Sequence, residues 1–201
     1  MNRLHGSGEA EPNNRIMVMT GVSGSGKDHL VGRVVSAGLM PARVRSFSFG
    51  QLLFEQAQAT YPELRTRDDL KTMLTPEQVE AEASGVIERL VEAQPAIINT
   101  HVVYRQGNTL AINPDVEVDL RASHYVYVKA EPAQIVEWRN RDASRTRPAE
   151  TAAQIGLHQE IALGVIHAMA QHVGAEMITI NNHPDFVDTN LATMHEALEA
   201  L

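Results

Sequence analysis

Short, almost wholly apolar runs alternate along this chain with segments whose apolar residues recur every three or four positions. Residues 16–20 (Ile16, Met17, Val18, Met19, Thr20) form the first such run, and residues 29–37 follow with Leu30, Val31, Val34 and Val35 at helical spacing. The alternation continues, predicting strands over 44–49, 96–99, 124–128 and 176–180. Helices are predicted over 51–59, 67–73, 76–93, 151–173 and 184–201, with another starting at 131–132 and running into an arginine-rich segment. Thr75 and Pro76 open the third of these, with proline in the first turn, where its missing N–H is not needed. Five short strands separated by helices imply an α/β fold: a five-stranded parallel sheet with helices on both faces. Ligands on such sheets bind beyond the carboxyl ends of the strands. Gly50, the segment Asn99-Thr100-His101 and the pair Asn181-Asn182 all fall at such ends.

Between the first strand and the first helix lies Gly21-Val22-Ser23-Gly24-Ser25-Gly26-Lys27, a G-x-x-x-x-G-K phosphate-binding loop. Its glycines let backbone N–H groups turn inward at the start of a helix, where the dipole favours an anion. The lysine then reaches the terminal phosphates. At the next position the motif calls for Ser or Thr, whose hydroxyl sits on magnesium; this chain has Asp28, followed by His29.

Composition narrows the setting. The 201 residues suit one α/β domain with a substantial core, and 43% hydrophobic with 21% charged residues is ordinary for a globular protein. There are no cysteines, which excludes disulfides and thiolate metal sites and fits a reducing compartment. No apolar run approaches the roughly 20 residues needed to span a bilayer. A net charge of −8 argues against a nucleic-acid surface. Residues 1–14 are polar and read as a disordered tail; residues 15–201 read as a single domain, expected in the cytoplasm. The nine histidines show no metal-binding spacing.

Arginine is the other feature of the charge pattern. Arg139, Arg141, Arg145 and Arg147 fall within nine residues at a helix end, as in a lid that closes over phosphates and neutralises transition-state charge.

These pieces, in this order, resemble the archaeal type of adenylate kinase, a branch of the nucleoside monophosphate kinase family, over residues 15 to about 198. Besides the loop, the matching motifs are Phe49-Gly50, Arg67-Asp68-Asp69-Leu70, Thr100-His101, Ile112-Asn113-Pro114 and Arg141-Asp142-x-x-Arg145-x-Arg147. The resemblance implies a P-loop kinase core with a monophosphate-binding helical insert at about 50–95, a short lid at about 139–150, and often a trimer. It implies transfer of a phosphoryl group from MgATP to AMP. Gly21, Val22, Ser23, Gly24, Ser25, Gly26, Lys27, Asp28 and His29 would hold ATP, with its adenine against residues 181–184. Lys27, Arg141, Arg145 and Arg147 would be catalytic, and Gly50, Lys71, Thr100 and His101 would serve the acceptor.

The chain departs from that family at informative places. Asp28 replaces a hydroxyl residue, Asn99 replaces the Asp that precedes Thr-His, Gln51 replaces an Asp, and Lys71 stands in place of an arginine. Asp28 and Asn99 change in opposite senses, which conserves charge beside the metal, so these two are expected to form a relocated Mg2+ site. The alternatives are a non-catalytic ATP-binding or sensing module, or another P-loop small-molecule kinase.

Overall fold

The computed structural model describes residues 14–106, 109–112, 120–142 and 149–201. Its main sheet contains β1 (Asn14–Thr20), β2 (Arg45–Ser48), β3 (Ala96–Asn99), β6 (Ala122–Lys129) and β7 (Glu176–Asn181). The spatial order is β2-β3-β1-β6-β7, and every neighbouring pair is parallel. This is the expected five-stranded parallel sheet.

Strand periodicity divides the core between two faces. Ile16, Val18, Tyr125 and Tyr127 point to one side, where α2 (Phe49–Thr60), α4 (Pro76–Glu92) and α6 (Ala152–Val173) pack through Phe49, Val86, Leu90, Ile166 and Met169. Met17, Met19, Val126 and Val128 point to the other, against Leu30 and Val34 of α1 (Lys27–Ser36) and Met194 and Leu198 of α7 (Val187–Glu199). Burial on both faces explains why the strands read as continuous apolar runs. Each fully buried side chain of this size contributes roughly 1.5–3 kcal/mol.

Helix starts follow their sequence signals. Thr75 and Gln78 form a reciprocal capping box ahead of α4, and Thr151 and Gln154 form another ahead of α6. The remaining helices are α3 (Asp69–Thr72) and α5 (Pro132–Arg141), and a 3-10 turn at Pro184–Phe186 precedes α7. That turn shortens the closing helix expected over 184–201. Phe49 and Gly50 belong to the first turn of α2, so the second strand stops at Ser48.

One element differs more. Residues 103–112 contain an antiparallel hairpin, β4 (Val103–Gln106) with β5 (Thr109–Ile112), where no strand was expected. Its two strands are four residues each and mix apolar with polar positions, which is a weak periodic signal.

Candidate functional site

The phosphate loop joins β1 to α1 at the carboxyl edge of the sheet. Gly26 has φ 89° and is the residue before α1; a Cβ there would stand 2.0 Å from Asn182 Nδ2. Only glycine fits, by backbone angle and by space. Asn182 Nδ2 in turn donates to Ser25 O at 2.9 Å, so the segment after β7 abuts the loop where the resemblance places the adenine.

Lys27 is 5% exposed and its ammonium is folded back on the loop, donating to Gly21 O at 2.9 Å and Val22 O at 3.2 Å. His101 Nδ1 lies 2.8 Å from the same Gly21 O and 3.4 Å from Lys27 Nζ. A carbonyl has no proton to give, so Nδ1 carries the hydrogen and donates to Gly21 O. His101 thereby braces the loop carbonyl that Lys27 also uses. Among the described residues Ser25 Oγ has no hydrogen-bond partner, an arrangement that costs a buried hydroxyl about 1–3 kcal/mol unless something else satisfies it.

The two departures from the family pattern meet in space. Asn99, the last residue of β3, donates from Nδ2 to Asp28 Oδ1 in the first turn of α1. Asp28 is exposed, as is His29 beside it. The amide orients the carboxylate and so acts on Asp28 itself. A carboxylate oxygen suits a hard cation such as magnesium. Among the described residues no three His, Asp or Glu side chains cluster as a metal cage.

The acceptor candidates are more dispersed. Thr100 is buried, its backbone N–H bonded to Met19 O at 3.0 Å. Gly50 faces Arg67, whose Nη1 would lie 3.7 Å from a Cβ at Gly50. Lys71 Nζ sits 5.8 Å from the centre of the Tyr104 ring, within cation–π range. Arg67 and Lys71 share a turn that Asp69 organises, its Oδ2 accepting from the backbone N–H of Arg65 at 2.6 Å and of Thr66 at 2.7 Å. Those N–H bonds, Thr66 first and then Arg65, hold the Asp69 carboxyl below its ordinary value.

The arginines separate. Arg141 is 70% exposed and pairs with Glu137 on the outer face of α5. Arg145 and Arg147 lie outside the described residues. Arg139, counted in the lid cluster but not among the catalytic residues, reaches the loop: its Nε donates to Ser23 O at 2.8 Å. The helical period carries the signal. Arg139 is four residues after Ile135, which packs on Val22, whereas Arg141 falls on another face. Trp138 packs against the same small cluster.

Strand, glycine loop and helix at the carboxyl edge of a parallel sheet define a phosphate-binding-loop protein of the nucleotide-binding α/β class. A crystal structure of shikimate kinase from Bacteroides thetaiotaomicron has this fold, with TM-score 0.55 and 15% identity over 92% of this chain and 98% of its own. The family described as AAA domain matches residues 20–156, and the chain belongs to it. Curated relatives extend the likeness. A Thermococcus kodakarensis protein named adenylate kinase is 29% identical over 174 residues, 85% of this chain and 87% of the relative. A Methanothermobacter thermautotrophicus protein of the same name is 25% identical over 192 residues, 92% of this chain and all of the relative. The resemblance to archaeal adenylate kinases read from the motifs is borne out by these relatives.

Proposed function

We propose that the chain is a nucleoside monophosphate kinase that transfers the γ-phosphoryl group of MgATP to AMP, giving two ADP. One observation carries the reading: Lys27, at the start of α1, is held on the carbonyls of Gly21 and Val22 within the glycine loop. The archaeal relatives named adenylate kinase, which align over most of the chain, support AMP as acceptor.

Phosphoryl transfer asks for positioning and charge neutralisation more than covalent chemistry. The loop amides and Lys27 hold the β- and γ-phosphates, Lys27 exchanging two carbonyl partners for phosphate oxygens. His101 keeps Gly21 O in place while Lys27 moves. Asp28, oriented by Asn99, would hold the magnesium, which when bound would supply charge neutralisation. Gly50, Thr100, Arg67 and Lys71 line the acceptor side, and Arg141, Arg145 and Arg147 serve the transferred group. A protein that moved phosphate among free nucleotides would need no membrane, and no described helix is long and apolar enough to cross one.

The test is ADP formation from MgATP with AMP, CMP, GMP or UMP in turn. AMP is expected to be turned over at least about tenfold better than the others, a difference of about 1.4 kcal/mol in transition-state binding. Preferred turnover of another monophosphate moves the acceptor, and tight ATP binding with no ADP formed makes the protein a nucleotide-sensing module.

A further inference from the structure

Glu150 carries a carboxylate whose side chain is only 3% exposed, and each of its oxygens takes an arginine from a different part of the fold. Arg139 Nη1 donates to Oε2 at 2.7 Å, and Arg105 Nη1 donates to Oε1 at 3.4 Å. Beyond Arg139 lies the donor loop: the same guanidinium bonds Ser23 O, and a Cβ at Gly24 would meet Arg139 Cγ at 3.0 Å. Beyond Arg105 lies β4. Successive strand residues face opposite ways, so Tyr104 presents its ring to Lys71 while Arg105 presents its charge to Glu150. His158 of α6 closes the junction, its Nε2 3.2 Å from Val103 O.

We infer that Glu150 is a positioning residue that joins the donor loop to the acceptor side through Arg139 and Arg105. The inference rests on the loop being an ATP site. A buried carboxylate costs several kcal/mol unless it is paired, so neither arginine can leave it cheaply for water. A movement of Ser23 O when phosphate enters the loop is passed to Arg139, then to Glu150, then to the strand that touches the acceptor lysine. Contacts of this kind are a connected physical path; energetic coupling along them is what experiment must show.

The chain has no cysteine, so a single Ile112→Cys on β5, at a position 47% exposed, can carry a polarity-sensitive fluorophore in the full-length protein. MgATP is titrated without AMP while calorimetry measures its binding directly. The parent is expected to give a saturable fluorescence change with the calorimetric midpoint. Adding Arg105→Met, which cuts only the hairpin arm, should leave the MgATP affinity within about twofold and remove most of the fluorescence change. Arg105→Lys, which keeps the charge, should retain the larger part of it and separates loss of the bridge from loss of packing. Glu150→Gln cuts the path from the other side and should also silence the hairpin. A parent that binds MgATP without any hairpin response overturns the inference alone, and so does a full response in folded Arg105→Met. A parent that does not bind MgATP overturns the ATP-site reading and the inference together.

Discussion

At the scale of single residues, the account turns on Asp28 and Asn99. A loop that follows its lysine with a carboxylate places negative charge beside phosphate, which is unfavourable until a cation intervenes. Asn99 answers with an amide that donates to Asp28 and adds no charge of its own. The pair can be exchanged back. Asp28→Ser alone removes the carboxylate proposed to hold the metal, and Asn99→Asp alone sets two carboxylates in contact, so each is expected to lower kcat/KM for MgATP at least about tenfold. Asp28→Ser with Asn99→Asp restores the hydroxyl and carboxylate of the family pattern and is expected to recover much of the loss. Steady-state kinetics on the four proteins form a double-mutant cycle, and additive losses would show that the two residues act independently. The loop itself was legible because a phosphate site built from one contiguous stretch leaves its whole pattern in one place. Asp28 facing Asn99 was legible only through the opposite direction of their changes, since nothing local to residue 28 points to residue 99.

Elements carry different predictions. α6 is fastened to the end of β6 by Gln159, whose side chain accepts from Ala130 N at 3.1 Å and donates to Ala130 O at 3.0 Å, while its own carbonyl accepts from Tyr127 Oη at 2.9 Å. Burial accordingly pushes the Tyr127 phenol well above its usual range. Gln159→Leu leaves both backbone groups of Ala130 buried and unpaired, so urea unfolding should show a loss of about 2–4 kcal/mol. Wild-type stability in that variant would mean that water replaces the amide. The turn that holds Arg67 and Lys71 is predicted to respond to acid. Asp69 has a carboxyl held below 3.8 by the Thr66 and Arg65 N–H groups, so its stabilisation is complete above that value and is lost as pH falls through the lower folded one. The gap in melting temperature between wild type and Asp69→Asn should therefore be present at pH 7 and shrink below about pH 3.8. A gap that is constant down to acid would remove Asp69 from the turn's support. Parallel strands and capped helices were readable from sequence because both their burial and their ends leave local marks. The hairpin over Val103–Gln106 and Thr109–Ile112 was not, because its strands are short and half polar.

Across the whole molecule, charge is distributed against the overall balance. The chain carries −8, yet the loop and its surroundings gather Lys27, Arg139 and, on the acceptor side, Arg67 and Lys71. The alternation of strand and helix was enough to predict the sheet and to place the glycine loop at the carboxyl ends of its strands. It was not enough to assemble Arg105, Arg139 and Glu150, which come from a hairpin, a helix end and a loop and meet only through packing. Arg139 shows the general reason: a cluster counted along the sequence treats four arginines alike, whereas the helix sends one to the loop and turns Arg141 to solvent.

We propose that this loop, with Asp28 after its lysine, binds ATP as the magnesium complex and transfers its γ-phosphoryl group. The most direct measurement is ADP formation from ATP and AMP, made beside calorimetric ATP binding, with saturating magnesium and again with excess chelator. The account predicts ADP formation with magnesium and none without, and ATP binding weakened at least about a hundredfold by the chelator, or roughly 2.7 kcal/mol. ATP binding that is equal with and without magnesium would contradict it.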